Sequence, residues 1–177
     1  MVQIVKKRAF LGFQRYILVI MRGLSRVEVV YFVAPKRYVF EEHRGSYLGI
    51  RTTFKRILAS IDDQGNELAS ATLASIWMDD PEAIPTPNLV SRACVLLTPG
   101  HTIQSTMMMD EIPAGKHAKL VYSGPYVGLL EAWRFFYGVW LPHSGERTDG
   151  PGFEIYQTRP SQVPDDQLVT ELYIPLK

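Results

Sequence analysis

One short segment near the C-terminus combines an acid with an aromatic ring. Side chains alternate between the two faces of a strand, so Glu154 and Tyr156 share one face of the extended segment 152–158, opposite Phe153 and Ile155. A carboxylate beside an electron-rich ring attracts organic cations, and each good cation–π contact contributes about 0.5–2 kcal/mol. Removal of this carboxyl from water would also raise its pKa. The segment predicts a site for a cationic or polarised organic ligand, while a glutamate in an alternating strand can also simply face water.

An internal repeat adds a second set of candidate residues. Shifting the chain by 79 positions places Trp77 on Tyr156 and Ser75 on Glu154, together with matching glycines and prolines nearby. The acid therefore occurs in only one of the two copies. If a two-fold axis relates the copies, these four side chains meet near it, and we predict that they line a ligand-binding groove.

The same pattern predicts the elements that position these residues. Apolar residues recur at three- and four-residue steps from Tyr47 to Ile61 and from Tyr126 to Trp140, as expected for two helices. Short runs bounded by Gly and Pro predict strands before and after each helix. This indicates an α+β fold of duplicated strand–helix–strand–strand modules with pseudo-two-fold symmetry, in which two helices on a mostly antiparallel sheet flank a central groove. The hydroxyl of Ser46 is expected to cap the first helix.

Further aromatic residues extend the candidate site. Trp133, Tyr137 and Trp140 recur along the predicted second helix. Residues of this kind fill hydrophobic cores, but they also line clefts between a helix and a sheet. The adjacent residues Tyr31 and Phe32 on the first strand must face opposite sides, so one of them is expected to form another wall of the groove.

Composition excludes several other functions. The net charge is +1, which gives no argument for a nucleic acid or an acidic substrate. The single cysteine, Cys94, lies in an apolar run and is expected to be a buried, inert thiol. The four histidines are scattered without metal-ligand spacing, so we predict neither a metal nor a cofactor. Glu171 resembles Glu154 locally, but its repeat partner is Arg92, which favours a solvated or salt-bridged edge.

Residues 1–24 form a basic N-terminal extension, and residues 25–177 are expected to form one domain. The repeats span about residues 26–98 and 105–177. The apolar stretch in the extension is shorter than the roughly 7–15 residues of a secretory signal, and far shorter than the roughly 20 of a membrane span. We therefore expect a cytoplasmic protein without a membrane partner, and its oligomeric state stays open.

Several motifs together resemble a known family. These are HRGSY and YSGPY before the helices, WMDDPEAIP in the first copy, and IPAGKHA, WLPHSGER, GPGFEIY and TELYIPL in the second. They resemble the GyrI-like small-molecule-binding domain, which is also the effector-binding domain of AraC- and MerR-type multidrug-responsive regulators. The resemblance covers about residues 25–177.

The resemblance implies a groove that binds bulky, often cationic aromatic compounds, with the family's groove glutamate at Glu154. A DNA-binding helix-turn-helix domain does not fit in residues 1–24, so direct DNA binding is not expected. Two alternatives stay open. One is a hydrolase of strained, electrophilic genotoxins that uses Glu154 with Tyr156 or Ser75, and the other is an inhibitor of a topoisomerase.

Overall fold

A single eight-stranded antiparallel sheet dominates the computed structural model, which describes residues 23–62, 71–98 and 107–177. The strands are β1 (Glu28–Phe32), β2 (Lys36–Arg44), β3 (Thr72–Trp77), β4 (Val90–Leu96), β5 (Met108–Ile112), β6 (Gly115–Ser123), β7 (Gly152–Tyr156) and β8 (Val169–Pro175). The helices are α1 (Ile50–Asp62), α2 (Leu129–Phe135) and α3 (Leu141–Ser144), with a π-helical stretch Phe136–Trp140 that joins α2 to α3. Short 3-10 turns at Tyr47–Gly49 and Tyr126–Gly128 lead into α1 and α2. The predicted α+β class and mostly antiparallel sheet are confirmed.

The strand order shows how the two halves are joined. Along the sheet the order is β1-β6-β8-β7-β3-β4-β2-β5. Strands β2, β4 and β3 of the first half therefore lie beside β7, β8 and β6 of the second half. The two edge strands are exchanged between the halves: β1 of the first half pairs with β6 of the second, and β5 of the second half pairs with β2 of the first. The seam between the halves is the β3–β7 pair.

The register at this seam places the two repeat-related polar residues face to face. Ser75 pairs directly with Glu154, and the two positions differ by 79 (154 − 75). A two-fold axis relating the copies would therefore pass through this pair. The same spacing recurs in the backbone hydrogen bonds Gly45 N to Leu89 O (2.9 Å) and Gly124 N to Leu168 O (2.8 Å).

The connections from β2 to α1 and from β6 to α2 both need glycine. Gly45 has φ +104° and Gly124 has φ +147°, a region of backbone space that residues with a Cβ rarely adopt. Ser46 follows Gly45, but its hydroxyl makes no capping hydrogen bond, so the predicted side-chain cap was wrong. Its carbonyl accepts instead from Gly49 N at 2.8 Å and is 2.9 Å from Nε2 of His43.

Both helices cover the same face of the sheet. Helix α1 buries a stripe at three- and four-residue spacing, which packs on β2, β3 and β4 through Ile57, Ile61, Val39, Leu73 and Val95. Helix α2 and the π-helical stretch pack on β6 and β8 through Leu129, Ala132, Phe136, Leu120 and Leu172. The opposite face carries a separate aromatic cluster that includes Tyr38, Phe40, Phe153 and Tyr173. Because side chains alternate along β7, Glu154 lies on the helix face and Phe153 on the other.

Most of the predicted N-terminal extension lies outside the described residues. Its last residue, Leu24, forms an antiparallel bridge with Tyr122 and packs with the cluster beneath α2. Within residues 23–62, 71–98 and 107–177, no helix is long and apolar enough to cross a membrane.

Candidate functional site

The centre of the helix face holds a buried carboxylate. Glu154 is 1% exposed, and each of its oxygens accepts one hydrogen bond. Trp133 Nε1 donates to Oε1 at 2.6 Å, and the Tyr156 hydroxyl donates to Oε2 at 2.8 Å. The hydroxyl oxygens of Tyr156 and Ser75 are 2.7 Å apart. The structure therefore brings Ser75, Glu154, Tyr156 and Trp133 into one hydrogen-bonded group across the seam.

The side chain of Glu154 gains or loses its proton near neutral pH. Burial raises the pKa of this carboxyl from 4.5 to about 7, and the donors Trp133, Tyr156 and Trp77 oppose the rise by favouring the carboxylate. Among the described residues, no Lys, Arg or His side chain forms an ion pair with Glu154. A carboxyl of this kind can receive either a cation or a proton.

Aromatic rings from both helices surround Tyr156. The ring of Phe54, from α1, lies 5.8 Å from that of Tyr156, and the ring of Tyr126, just before α2, lies 5.4 Å away. Burial, and then the charge of Glu154, raise the pKa of Tyr156 well above its usual value, so this hydroxyl stays protonated and donates. Rings from the two helical segments therefore flank Tyr156 on both sides.

The indole of Trp77 reaches the same region from β3. Its ring lies 4.5 Å from that of Tyr47. Its N–H is close enough to Glu154 to lower the pKa of that carboxyl, yet among the described residues it meets no acceptor at hydrogen-bonding geometry. This indole is thus a buried donor beside the carboxylate.

Tyr137 and Trp133 lie over a strand position that has no side chain. A Cβ placed on Gly152 would be 2.8 Å from the Tyr137 hydroxyl and 2.9 Å from Cη2 of Trp133. The two rings stack with centroids 5.5 Å apart. Burial of the hydroxyl raises the pKa of Tyr137 to about 12, although the residue as a whole is 39% exposed. Gly152 therefore lets both rings approach the sheet, with Tyr137 at the rim.

Three of the predicted groove residues lie elsewhere. Strand β1 is three strands from β7, and its Tyr31 is 67% exposed. Phe32 packs on His117 and Phe153, on the face opposite Glu154. Trp140 packs on Phe136 and lines a shallow apolar cavity of about 350 Å³ on the flank of the second helix.

Sequence reasoning missed four residues that lie around the Glu154 group. Tyr47, Phe54 and Tyr126 were assigned only to the apolar stripes of the helices. The repeat could have found Phe54, because a shift of 79 places it on Trp133 (133 − 54). Gly152 also carried a signal, since glycine inside a strand often marks the close approach of another group. Within the described ranges, no group of three or more His, Cys, Asp or Glu side chains can hold a metal ion.

A comparison with models of known protein families identifies the family of this chain. The model of the GyrI-like small-molecule-binding domain matches residues 27–177. The chain belongs to the GyrI-like family. The resemblance seen in the sequence motifs is therefore confirmed.

Solved structures of other proteins share this GyrI-like fold at low sequence identity. EcmrR in its complex with DNA has a TM-score of 0.73 at 13% identity, and the alignment covers 98% of this chain and 65% of the EcmrR chain. SAV2435 bound to tetraphenylphosphonium has a TM-score of 0.61 at 12% identity, with 86% and 94% coverage. A hydrolase from Listeria innocua has a TM-score of 0.55 at 11% identity, with 86% and 92% coverage. At these identities the comparisons show the fold alone.

The close packing over Gly152 gives a steric prediction. Gly152→Ala places a methyl group against Tyr137 and Trp133, and we expect the free energy of unfolding to fall by about 1–3 kcal/mol in urea denaturation. Gly138→Ala is the matched control, because a Cβ there meets no atom within 4 Å. Equal effects of the two substitutions would contradict this packing.

The raised pKa of Glu154 predicts a dependence of stability on pH. Below pH 4.5 the carboxyl is protonated in both the folded and unfolded chains. Between pH 4.5 and about 7 the unfolded chain loses this proton while the folded protein keeps it, so the free energy of unfolding falls as pH rises. The fall attributable to Glu154 is on the order of 3 kcal/mol over this range.

Urea denaturation at several pH values between 5 and 8 measures this slope. In Glu154→Gln the fall should disappear. Glu171→Gln should keep it, because the ion pair with Lys119 lowers the pKa of Glu171 despite burial, so Glu171 titrates below this range. A slope that survives in Glu154→Gln would refute the assignment.

Proposed function

We propose that this domain binds hydrophobic organic cations in the groove between α1 and α2, and that Glu154 provides the counter-charge. The observation that carries the proposal is a carboxylate 1% exposed at the seam of the sheet, surrounded by rings and held by neutral donors. A buried carboxylate is costly unless it is paired. A cation that enters the groove supplies that pairing.

The surrounding side chains suit a cation with an apolar surface. Trp77 and Tyr156 contribute ring faces near the floor, and Trp133 and Tyr137 contribute them from α2 and the π-helical stretch. Cation–π contacts are strongest where the rings are shielded from water, at about 2 kcal/mol. Ser75 hydrogen-bonds with Tyr156 and so helps to keep its hydroxyl directed at Glu154.

A ligand can reach the Glu154 carboxylate only if the Trp133 side chain moves away from it. Both carboxylate oxygens are occupied, and the Trp133 indole donates the shorter of the two bonds. The α-helix that carries Trp133 gives way to the π-helical stretch at Phe136, and π-helical turns in proteins are frequent at functional sites. A ligand cation is therefore expected to displace the Trp133 N–H from Oε1.

The structural neighbour SAV2435 supports this choice of ligand, because it is bound to tetraphenylphosphonium, a hydrophobic cation. We further propose that the protein acts in the cytoplasm as a receptor or sequestering protein for such compounds. We expect the described residues to make no direct contact with DNA.

Hydrolysis is a second candidate for the same groove. With a pKa near 7, Glu154 can take a proton from water as the water oxygen bonds to an electrophilic carbon of the ligand. The electrons of the broken ring bond then take up the proton from the Glu154 carboxyl, or one from solvent, which restores the carboxylate, while the Tyr156 hydroxyl keeps its proton and its hydrogen bond to Glu154. The observation that favours this reaction is the hydrogen bond between these two titratable groups. A neighbour of the same fold is a hydrolase.

Titration with tetraphenylphosphonium tests cation binding. We expect Glu154→Gln to weaken the affinity at least about 10-fold at pH 8, because the counter-charge is lost. The wild-type affinity should increase from pH 6 to pH 8 as Glu154 ionises, whereas the affinity of Glu154→Gln should stay flat. Isothermal calorimetry provides both measurements.

Glu171→Gln serves as the matched control. Glu171 is a strand carboxylate on the other face of the sheet, and it is paired with Lys119. Its substitution should leave the affinity within about two-fold of wild type. Equal affinities of wild type and Glu154→Gln across the pH range would refute charge pairing.

Incubation with a cyclopropane-bearing alkylating compound tests hydrolysis. If the protein is a hydrolase, the ring-opened hydrated product should accumulate over many turnovers. The rate should fall at least about 100-fold in Glu154→Gln, since a general base contributes about 10²–10⁴-fold. Mass spectrometry detects the product. Stoichiometric binding without product would exclude turnover of that compound.

A further inference from the structure

Trp77 and Ser91 form a neighbouring pair on the helix face. They are directly opposite each other across β3 and β4, so their side chains lie on the same face of the sheet. That face is the one that carries Ser75, and Trp77 pairs on its other side with Gly152. The pair therefore lies next to the Ser75–Glu154 pair, displaced from it by two residues along β3.

Both residues carry a polar atom that is buried without a partner. Within the described ranges, neither Trp77 Nε1 nor the Ser91 hydroxyl has a hydrogen-bond partner, and Ser91 is 0% exposed. An unsatisfied buried donor is unfavourable, and buried polar groups in folded proteins are almost always hydrogen-bonded. Two such groups on directly paired residues, one of them with its N–H near the Glu154 carboxyl, indicate a place for a further hydrogen-bond acceptor.

The equivalent pair in the second copy does not offer the same site. A shift of 79 takes Trp77 to Tyr156 and Ser91 to Thr170. Thr170 also has an unpartnered buried hydroxyl, but the Tyr156 hydroxyl beside it is already bonded to Glu154 and Ser75. Among the described residues, the paired positions that both carry an unpartnered donor are therefore those of Trp77 and Ser91, in the first copy.

We infer that Trp77 and Ser91 form a neutral subsite that receives a carbonyl or ether oxygen of the ligand, next to the cation held by Glu154. The inference rests on the proposed function and narrows its ligand class. The preferred ligands are hydrophobic cations that carry a hydrogen-bond acceptor close to the charged centre. The indole N–H and the Ser91 hydroxyl are the donors to this oxygen.

Nitrogen-15 labelling of the indole groups tests the subsite directly. The chain has three tryptophans, and the Trp77 signal is the one absent from the Trp77→Phe spectrum. Three probes separate charge from acceptor: (4-benzoylphenyl)triphenylphosphonium has a charge and a ketone, tetraphenylphosphonium has the charge without the ketone, and benzophenone has the ketone without the charge. We expect the Trp77 N–H proton to shift downfield with the two ketones and to respond much less to tetraphenylphosphonium.

The affinities of the phosphonium probes provide the second readout. Trp77→Phe removes the donor and also replaces an indole ring proposed to contact the cation, so both phosphonium probes should bind more weakly. The loss for the ketone probe should exceed that for tetraphenylphosphonium by about 3- to 10-fold. Ser91→Ala should act in the same direction. Equal losses for both probes would mean that Trp77 only packs against the ligand, and the subsite would be excluded.

The two proposals fail in different ways. Suppose that Glu154→Gln lowers the affinity for both phosphonium probes, but the Trp77 N–H chemical shift does not change at saturating ketone probe. The acceptor subsite is then wrong and cation binding stands. If the Trp77 signal responds to benzophenone but Glu154→Gln changes no affinity, charge pairing is wrong and the acceptor subsite stands. If no probe binds to the wild type, both proposals fall.

Discussion

The hydrogen bonds to Glu154 are the interaction on which the rest of this site depends. A carboxylate removed from water loses a large hydration free energy, and it is tolerated only where donors are aimed at it. Here one donor comes from the helix above the sheet and one from the same strand, two residues away. The acid therefore fixes the helix to the sheet at the place where the two halves meet. The positions of the buried charge and of the rings around it depend on this one arrangement.

The difference between the two copies at the seam has a simple electrostatic reason. Directly opposite residues of an antiparallel pair have Cβ atoms about 4.5–5.5 Å apart. Two carboxylates at this distance would repel each other, and one of them would have to hold a proton. Serine opposite glutamate avoids the repulsion and adds a hydroxyl that bonds to Tyr156. A perfectly repeated sequence would place at this seam either two competing carboxyls or no carboxyl at all.

Much of the fold and part of the site could be predicted from the residues. The alternation along β7 placed Glu154 and Tyr156 on one face, and the repeat register brought Ser75 and Trp77 to them. The position of Phe32 could not be predicted this way, because it depends on the exchange of the edge strands, which leaves no mark in the local pattern. Trp140 was misplaced for another reason. A π-helical stretch winds more residues into each turn, so positions beyond Phe136 rotate away from the face that α-helical spacing predicts.

The exchanged edge strands also affect how this chain can assemble. Strand β1 can pair with β6 only after more than half of the chain has been synthesised, and β3 can pair with β7 only later still. Contacts this distant in sequence carry a large loop-closure entropy, which slows folding. Until the second half emerges from the ribosome, the first half presents an open strand edge at β3, the kind of surface that pairs with other chains. The architecture that joins the two halves in one sheet thus makes rapid completion of that sheet a condition for avoiding aggregation.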